Sequence, residues 1–207
     1  MYQPEHPRPH DLLWGMRPEQ LPADAPAWAL AVLAAGQPVV VRRAVVAPGQ
    51  VAVGLRGATR DQRLAATMPL TAISRRLAPE DLRGRQASED LPVFRMLAEL
   101  RPLLDALGHR WGVTGSAGFQ LASGLPAVHP DSDLDLLLRA EQPLPRSEAR
   151  SLLRLLEGRV CRVDLQLQTP LGGVALGEWA GDAARVLAKT AAGPRLVSDP
   201  WAEERAA

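Results

Sequence analysis

Residues 132–138 read Ser-Asp-Leu-Asp-Leu-Leu-Leu, and this run narrows the choice of fold more than any other segment. Side chains alternate between the two faces of a β-strand. Asp133 and Asp135 therefore share one face, while Leu134, Leu136 and Leu138 share the other. Such a strand hides leucine in a core and presents two carboxylates, with α-carbons about 6.5–7 Å apart. Residues 159–168 predict a second strand of the same kind. Val160, Arg162, Asp164, Gln166 and Gln168 fall on its polar face, and Cys161, Val163, Leu165 and Leu167 on its core face. Cys161 is accordingly expected as a buried small hydrophobe.

The elements around these strands extend the pattern. Val93, Leu97, Leu100, Leu104 and Leu107 form one apolar stripe of a helix, which Pro102 should kink or break. Trp111–Thr114 predicts a short strand ending in Gly115-Ser116, and a helix opens over Phe119–Ala122. Helices are expected over 146–157 and 178–189, so this half reads α-β-α-β-α-β-α, a mixed layer structure. The first half predicts a helix over 26–35, a strand over 38–46 paired with 51–55 across Pro48-Gly49, and a helix over 60–67. The Pro- and Gly-bearing stretch 69–92 separates the halves, which gives domains over 1–85 and 86–207.

Composition limits the function. The 207 residues carry 24 basic and 23 acidic side chains, a near-balance that argues against a protein built to coat nucleic acid. One cysteine excludes an internal disulfide framework and a multi-cysteine metal site. No basic segment followed by an apolar stretch opens the chain, and the apolar run 27–35 is too short to cross a bilayer. A soluble cytoplasmic protein with no membrane partner is expected. Lys189 is the only lysine, and most of the arginine excess reads as the codon usage of a GC-rich genome.

Three segments carry the chemistry. Paired carboxylates such as Asp133 and Asp135 suit hard cations, whose preferred ligands are oxygens. Asp164 presents a third. Gly115-Ser116, between a strand and a helix, offers close backbone approach and helix-start N–H groups to a phosphate, although Ser116 could simply cap its helix. Asp131 reads as a turn residue after Pro130, and His129 as a loop residue.

Gly115-Ser116, Asp133-x-Asp135 before three leucines, and Asp164 on a strand together resemble the nucleotidyltransferase superfamily of polymerase β. That resemblance implies an α/β (α+β) fold. Its core is a mixed sheet with packed helices, preceded here by a smaller N-terminal α+β domain. It also implies that Asp133, Asp135 and Asp164 hold two Mg²⁺ ions, with Mn²⁺ as a substitute, and that Gly115 and Ser116 hold a triphosphate. A narrower resemblance, to the phosphoribosyl-dephospho-CoA transferases that act as holo-acyl-carrier-protein synthases of malonate decarboxylase, spans nearly the whole chain. It rests on Arg8–Trp14, Val53–Gly57 with Arg60 and Gln62-Arg63, Trp111–Ser116, Ser132–Leu138, Arg162–Gln166, Gly193–Val197 and Asp199–Trp201. This implies triphosphoribosyl-dephospho-CoA as substrate, a serine of the apo acyl carrier protein as acceptor, and pyrophosphate as leaving group. Asp164 would complete the metal site or act on the serine. The alternatives are a small-molecule nucleotidyltransferase of the aminoglycoside type and an inactive nucleotide-binding module. The intact aspartates count against the last.

Arg56, Arg60 and Arg63 fall at i, i+4 and i+7, which on a helix would make one basic edge beside Gly54 and Gly57. We expect them to bind the substrate's polyphosphate. Arg42-Arg43 reads as surface charge, His10-Asp11 is given no catalytic role, and Lys189 reads as a surface lysine. Trp28, Trp179 and Trp201 read as core or interface anchors.

Overall fold

The computed structural model describes residues 6–202, apart from residues 60, 88, 89 and 159. The chain divides into two compact units, one ending at Ala78 and the next beginning at Pro79. The second unit thus starts before the residue 86 that composition suggested.

The N-terminal unit is an antiparallel sheet with one helix. Its elements are β1 (Leu12–Trp14), α1 (Ala27–Ala34), β2 (Val39–Val41), β3 (Gln50–Arg56), β4 (Arg63–Pro69) and β5 (Arg75–Leu77), in the order β4-β3-β2-β1-β5. Leu13, Ala29, Leu33, Val39, Val51, Val53, Leu55 and Met68 close its core between helix and sheet. Two expectations change. The strand expected over 38–46 covers only Val39–Val41, and Val45 lies largely exposed beyond it. The helix expected over 60–67 is instead strand β4. Its register with β3 runs unbroken from Arg56↔Arg63 to Gln50↔Pro69. Leu64, Ala66 and Met68 face the core in a period of two, so a waiting partner strand overrides the helical preference of Leu and Ala. Asp11 is fully buried and accepts hydrogen bonds from the Arg8 N–H (2.8 Å) and Arg76 Nε (2.6 Å). Its carboxylate thus ties the segment before β1 to β5.

The C-terminal unit contains α2 (Pro92–Ala106), β6 (Trp111–Val113), α3 (Gly115–Ser123), β7 (Leu134–Arg139), α4 (Arg146–Leu156), β8 (Val163–Gln168), β9 (Gly173–Ala175), α5 (Leu176–Ala180), β10 (Val186–Thr190) and β11 (Gly193–Val197). The sheet order is β11-β10-β9-β8-β7-β6. β7 and β8 run parallel, joined through α4, and their other neighbours are antiparallel. This is the mixed sheet with packed helices that the resemblance implied. Helix α2 continues through Pro102, which lies on its exposed face, while Val93, Leu97, Leu100 and Leu104 are buried. Leu107 falls past the helix end and is partly exposed. The helix expected over 178–189 is also corrected. α5 stops at Gly181, and the chain then forms the β10–β11 hairpin, paired over Val186↔Val197 to Thr190↔Gly193. Lys189 is exposed on β10. Trp179 is buried and meets Trp201 edge to face at 5.0 Å, so both are anchors. No helix among the described residues is long and apolar enough to cross a membrane.

One ion pair explains where the second unit begins. The 3₁₀ turn Pro79–Leu82 packs on β6 at Gly112, where a Cβ would collide with the backbone of Pro79 and Glu80. Glu80 accepts hydrogen bonds from Nε (2.7 Å) and Nη2 (3.4 Å) of Arg139 at the end of β7. The Arg139 and Glu80 side chains are only 4% and 12% exposed. Burial pushes the Glu80 carboxyl up, but the hydrogen bond and charge of Arg139, with the charge of Arg110, outweigh it and hold the group below its ordinary 4.5. Removing one member of such a pair strands the other, so Glu80→Ala should destabilise the protein by about 3–5 kcal/mol in denaturant titration. A folded-state value below the unfolded one means that the pair's contribution is complete above the ordinary carboxylate value. It is lost as pH falls through the lowered one. The stability gap between wild type and Glu80→Gln should therefore be constant near neutrality and close in acid, and a gap independent of pH would refute the linkage.

Candidate functional site

The parallel register of β7 and β8 places Asp135 directly beside Asp164. Neighbouring strands lie about 4.8 Å apart, so these two carboxylates rise from adjacent positions on one face. Burial alternates along both strands as the sequence predicted. Leu134, Leu136, Leu165 and Leu167 are buried, and Asp135, Asp164 and Gln166 are half-buried. Asp133 lies one step before β7 and is also half-buried, which keeps it in the Asp135 row. Leu134 N–H donates to the Arg162 carbonyl (2.9 Å), extending the β7–β8 pairing up to Asp133. Arg162 Nη2 lies 2.9 Å from Asp164 Oδ1.

Gly115 joins the carboxylates to the start of α3. It adopts φ 60°, and a Cβ at this position would run into the Asp135 carboxylate. The Thr114 N–H donates to the Asp135 carbonyl (2.9 Å), so backbone and side chain of Asp135 both meet this turn. α3 begins at Gly115 and not at Phe119, with Thr114 at the N-cap position. Its first helical bond runs from the Gly118 N–H to the Thr114 carbonyl (2.8 Å), so the N–H groups of Gly115, Ser116 and Ala117 lie in the opening turn. Ser116 is thus inside that turn, and capping is not its role.

The loop that delivers Asp133 is pinned from α3. Gln120 Oε1 accepts hydrogen bonds from the Ala127 N–H (2.8 Å) and Val128 N–H (2.9 Å), and Ser132 Oγ accepts one from the His129 N–H (2.9 Å). Asp131 sits in a turn and His129 is exposed, as expected of both. Neither Gln120 nor Arg162 was singled out from the sequence as a site residue. Gln120 carries no local signal, because the two N–H groups that donate to it lie seven and eight residues away. Arg162 was visible only as part of a quoted segment. Cys161 is corrected. It lies before β8 and is partly exposed, not buried on a strand. Burial and then the Asp133 charge push its thiol up, which disfavours the thiolate.

Among the described residues, no three His, Cys, Asp or Glu side chains are gathered closely enough to hold a metal ion. A cleft of about 250 Å³ lies at the far end of β7, lined in part by His109, Arg110, Arg139, Glu141 and Glu148, and does not include the aspartates. Of the three arginines, Arg60 lies outside the described residues. Arg56 and Arg63 are brought together by the β3–β4 register and not by a helix.

Family comparison covers both units. Residues 8–79 match the phosphoribosyl-dephospho-CoA transferase MdcG N-terminal domain, and residues 81–200 match the phosphoribosyl-dephospho-CoA transferase MdcG C-terminal domain. A phosphoribosyl-dephospho-CoA transferase of Pseudomonas fluorescens is 62% identical over 193 residues, 93% of each chain. One from Pseudomonas aeruginosa is 59% identical over 197 residues, 94% of each chain. One from Azotobacter vinelandii is 57% identical over 202 residues, 95% of each chain. No solved structure matches.

The Gly115–Asp135 contact can be checked against Gly124, which also has positive φ (75°) but has nothing within 4 Å of its Cβ position. Gly124→Ala should lose only the left-handed backbone preference, about 1–2 kcal/mol. Gly115→Ala should lose more, because α3 or Asp135 must also move. Equal shifts in denaturant midpoint would show that the contact does not constrain the site.

Proposed function

Because the chain belongs to the phosphoribosyl-dephospho-CoA transferase family, we propose that it transfers 2′-(5″-triphosphoribosyl)-3′-dephospho-CoA to a serine of the apo acyl carrier protein of malonate decarboxylase, releasing pyrophosphate. The observation that carries this reading is the adjacent pair Asp135 and Asp164, with the opening turn of α3 packed against Asp135. In the reaction, the serine Oγ forms a bond to the α-phosphorus, and the bond from that phosphorus to the bridging oxygen of pyrophosphate breaks. The serine proton leaves, and the product is a phosphodiester.

The residues present suit Mg²⁺ in their donor chemistry. Asp135 and Asp164 are side by side, and Asp133 offers a third set of oxygens from the same row. For all three to serve, Asp164 must turn from Arg162, an exposed pair that is held weakly. When bound, such ions would neutralise charge on the phosphates. The protein's own groups do the positioning. The N–H groups of Gly115, Ser116 and Ala117 would face phosphate oxygens at a helix start. Asp164 would orient the serine hydroxyl or accept its proton. Gln120 and Ser132 would keep Asp133 in place by fixing its loop. Arg56 and Arg63 would bind phosphate from the N-terminal unit. Most of the rate enhancement then comes from orientation and charge placement.

The test is direct. Wild-type protein, Mg²⁺, the triphosphoribosyl precursor and apo carrier protein should yield a carrier whose mass rises by the prosthetic group, with one pyrophosphate released per carrier. Asp135→Ala and Asp164→Ala should each reduce the rate by about two or more orders of magnitude with melting temperature little changed. Wild-type protein that leaves the carrier unmodified would refute the acceptor. Substantial turnover in Asp135→Ala would refute the role of the aspartates.

A further inference from the structure

We infer that Arg162 is a further catalytic residue of the C-terminal unit: it yields Asp164 to a divalent cation and places its guanidinium on the reacting α-phosphate. The inference deepens the transferase reading and rests on it for the identity of the reacting group. Leu134 pairs with Val163, and Asp135 with Asp164, in the parallel register. One step earlier Asp133 comes level with Arg162, and the Leu134 N–H donates to the Arg162 carbonyl (2.9 Å) to carry the ladder there. Arg162 also lies two residues before Asp164 and so shares its face. One aspartate is therefore about 4.8 Å away across the strands and another about 6.6 Å away along its own, measured between α-carbons. A permanent cation stands inside the acidic set and not at its margin.

The same unit holds a pair built to stay closed, and the contrast is informative. Arg139 meets Glu80 through two nitrogens, with the side chains only 4% and 12% exposed. Arg162 Nη2 lies 2.9 Å from Asp164 Oδ1, but these side chains are 70% and 45% exposed. An ion pair in water is weakly held, so each member can exchange it for a better partner. For a carboxylate beside two others that partner is a hard divalent cation. For a guanidinium it is a phosphate, which accepts two parallel N–H bonds. One exchange serves both groups, and Arg162 stays next to whatever Asp164 then holds.

The order of groups across the sheet assigns the phosphate. β7 lies between β6 and β8. Asp135 adjoins Gly115 and the opening turn of α3 on the β6 side, and Asp164 adjoins Arg162 on the β8 side. Helix-start N–H groups therefore flank the paired carboxylates on one side and a guanidinium on the other. A triphosphate laid across them has a pyrophosphate end that leaves and an α-phosphorus end that stays. The N–H groups suit the first, and Arg162, beside the aspartate that meets the serine hydroxyl, suits the second. In the transfer the serine Oγ–P bond forms, and the bond to the bridging oxygen breaks with its electron pair passing to pyrophosphate. The serine proton ends in solvent. A guanidinium fixed at the non-bridging oxygens stabilises the charge that they carry in the transition state.

Two measurements on the full-length protein test this. In the first, Mn²⁺ alone is titrated without substrate, and the free ion is read by electron paramagnetic resonance. Arg162→Ala and Arg162→Gln should bind Mn²⁺ about fivefold or more tightly than wild type, because a competing cation has gone, while Arg162→Lys keeps the charge and should stay near wild type. In the second, the transfer assay, Arg162→Ala should lower kcat about a hundredfold with little change in KM for the triphosphoribosyl precursor, and Arg162→Lys should recover part of the loss. Melting temperature should hold in every variant. No Mn²⁺ binding, or an affinity in Arg162→Ala equal to or weaker than that of wild type, overturns the exchange. A kcat within about twofold of wild type overturns the catalytic role. If wild type leaves the carrier unmodified, the transferase reading sinks, while tighter Mn²⁺ binding by Arg162→Ala still supports the exchange at Asp164.

Discussion

The parallel pairing of β7 with β8 is the constraint on which the site depends. It places Asp135 and Asp164 at the same level. The register is held from the opposite face, where Leu134, Leu136, Leu165 and Leu167 are buried. A slip of one residue would send every leucine to the polar face and every carboxylate into the core. Hydrophobic packing thus sets the position of the acidic groups, although it touches none of them. The parallel connection also requires a crossover, which α4 supplies, and α4 is in turn tied by Arg146 to the chain around Trp179.

The far end of β7 has a different task. Arg139 closes the strand by pairing with Glu80, which draws the Pro79–Leu82 turn onto β6 and into the second unit. One strand therefore begins in the candidate chemistry and ends in a buried ion pair. This arrangement lets a charged group be buried at one end, where its partner is fixed, while the other end keeps its carboxylates half-exposed for an incoming ligand. The cleft at the Arg139 end carries no residue of the aspartate set.

Strand β7 was legible to the residue, because Leu and Asp alternate there without ambiguity and the acidic residues mark its open face. α4 was legible for a similar reason, since its charged and apolar residues separate cleanly by helical period. Segments 60–67 and 178–189 were misread because their Ala, Leu, Arg and Glu residues favour helix locally, while their partners lie in strands that local sequence does not reveal. In β4 the deciding factor is a seven-residue ladder with β3, and in β10 it is the hairpin closed by Gly193. The three candidate segments stand out in the chain, but their mutual geometry does not. The Gly115–Asp135 contact is formed by residues twenty apart and becomes visible only when β6 and β7 pair. The sequence put Arg56 and Arg63 on one helix edge, whereas a hairpin register opposes them, because a hairpin and a helix bring different spacings together.

That error bears on the arginine excess itself. Abundance alone does not say where arginine is used. Arg139 engages both oxygens of Glu80 through two nitrogens, which an ammonium could not do in one plane. Arg146 donates to the carbonyls of Trp179 (3.1 Å), Gly181 and Ala183 (2.8 Å) while its guanidinium lies 4.2 Å from the Trp179 ring centroid. Arg75 stacks similarly over Trp14 at 4.5 Å. Each of these uses the flat, forked, permanently charged group and would lose geometry with lysine. The fold therefore does not treat the two cations as equivalent.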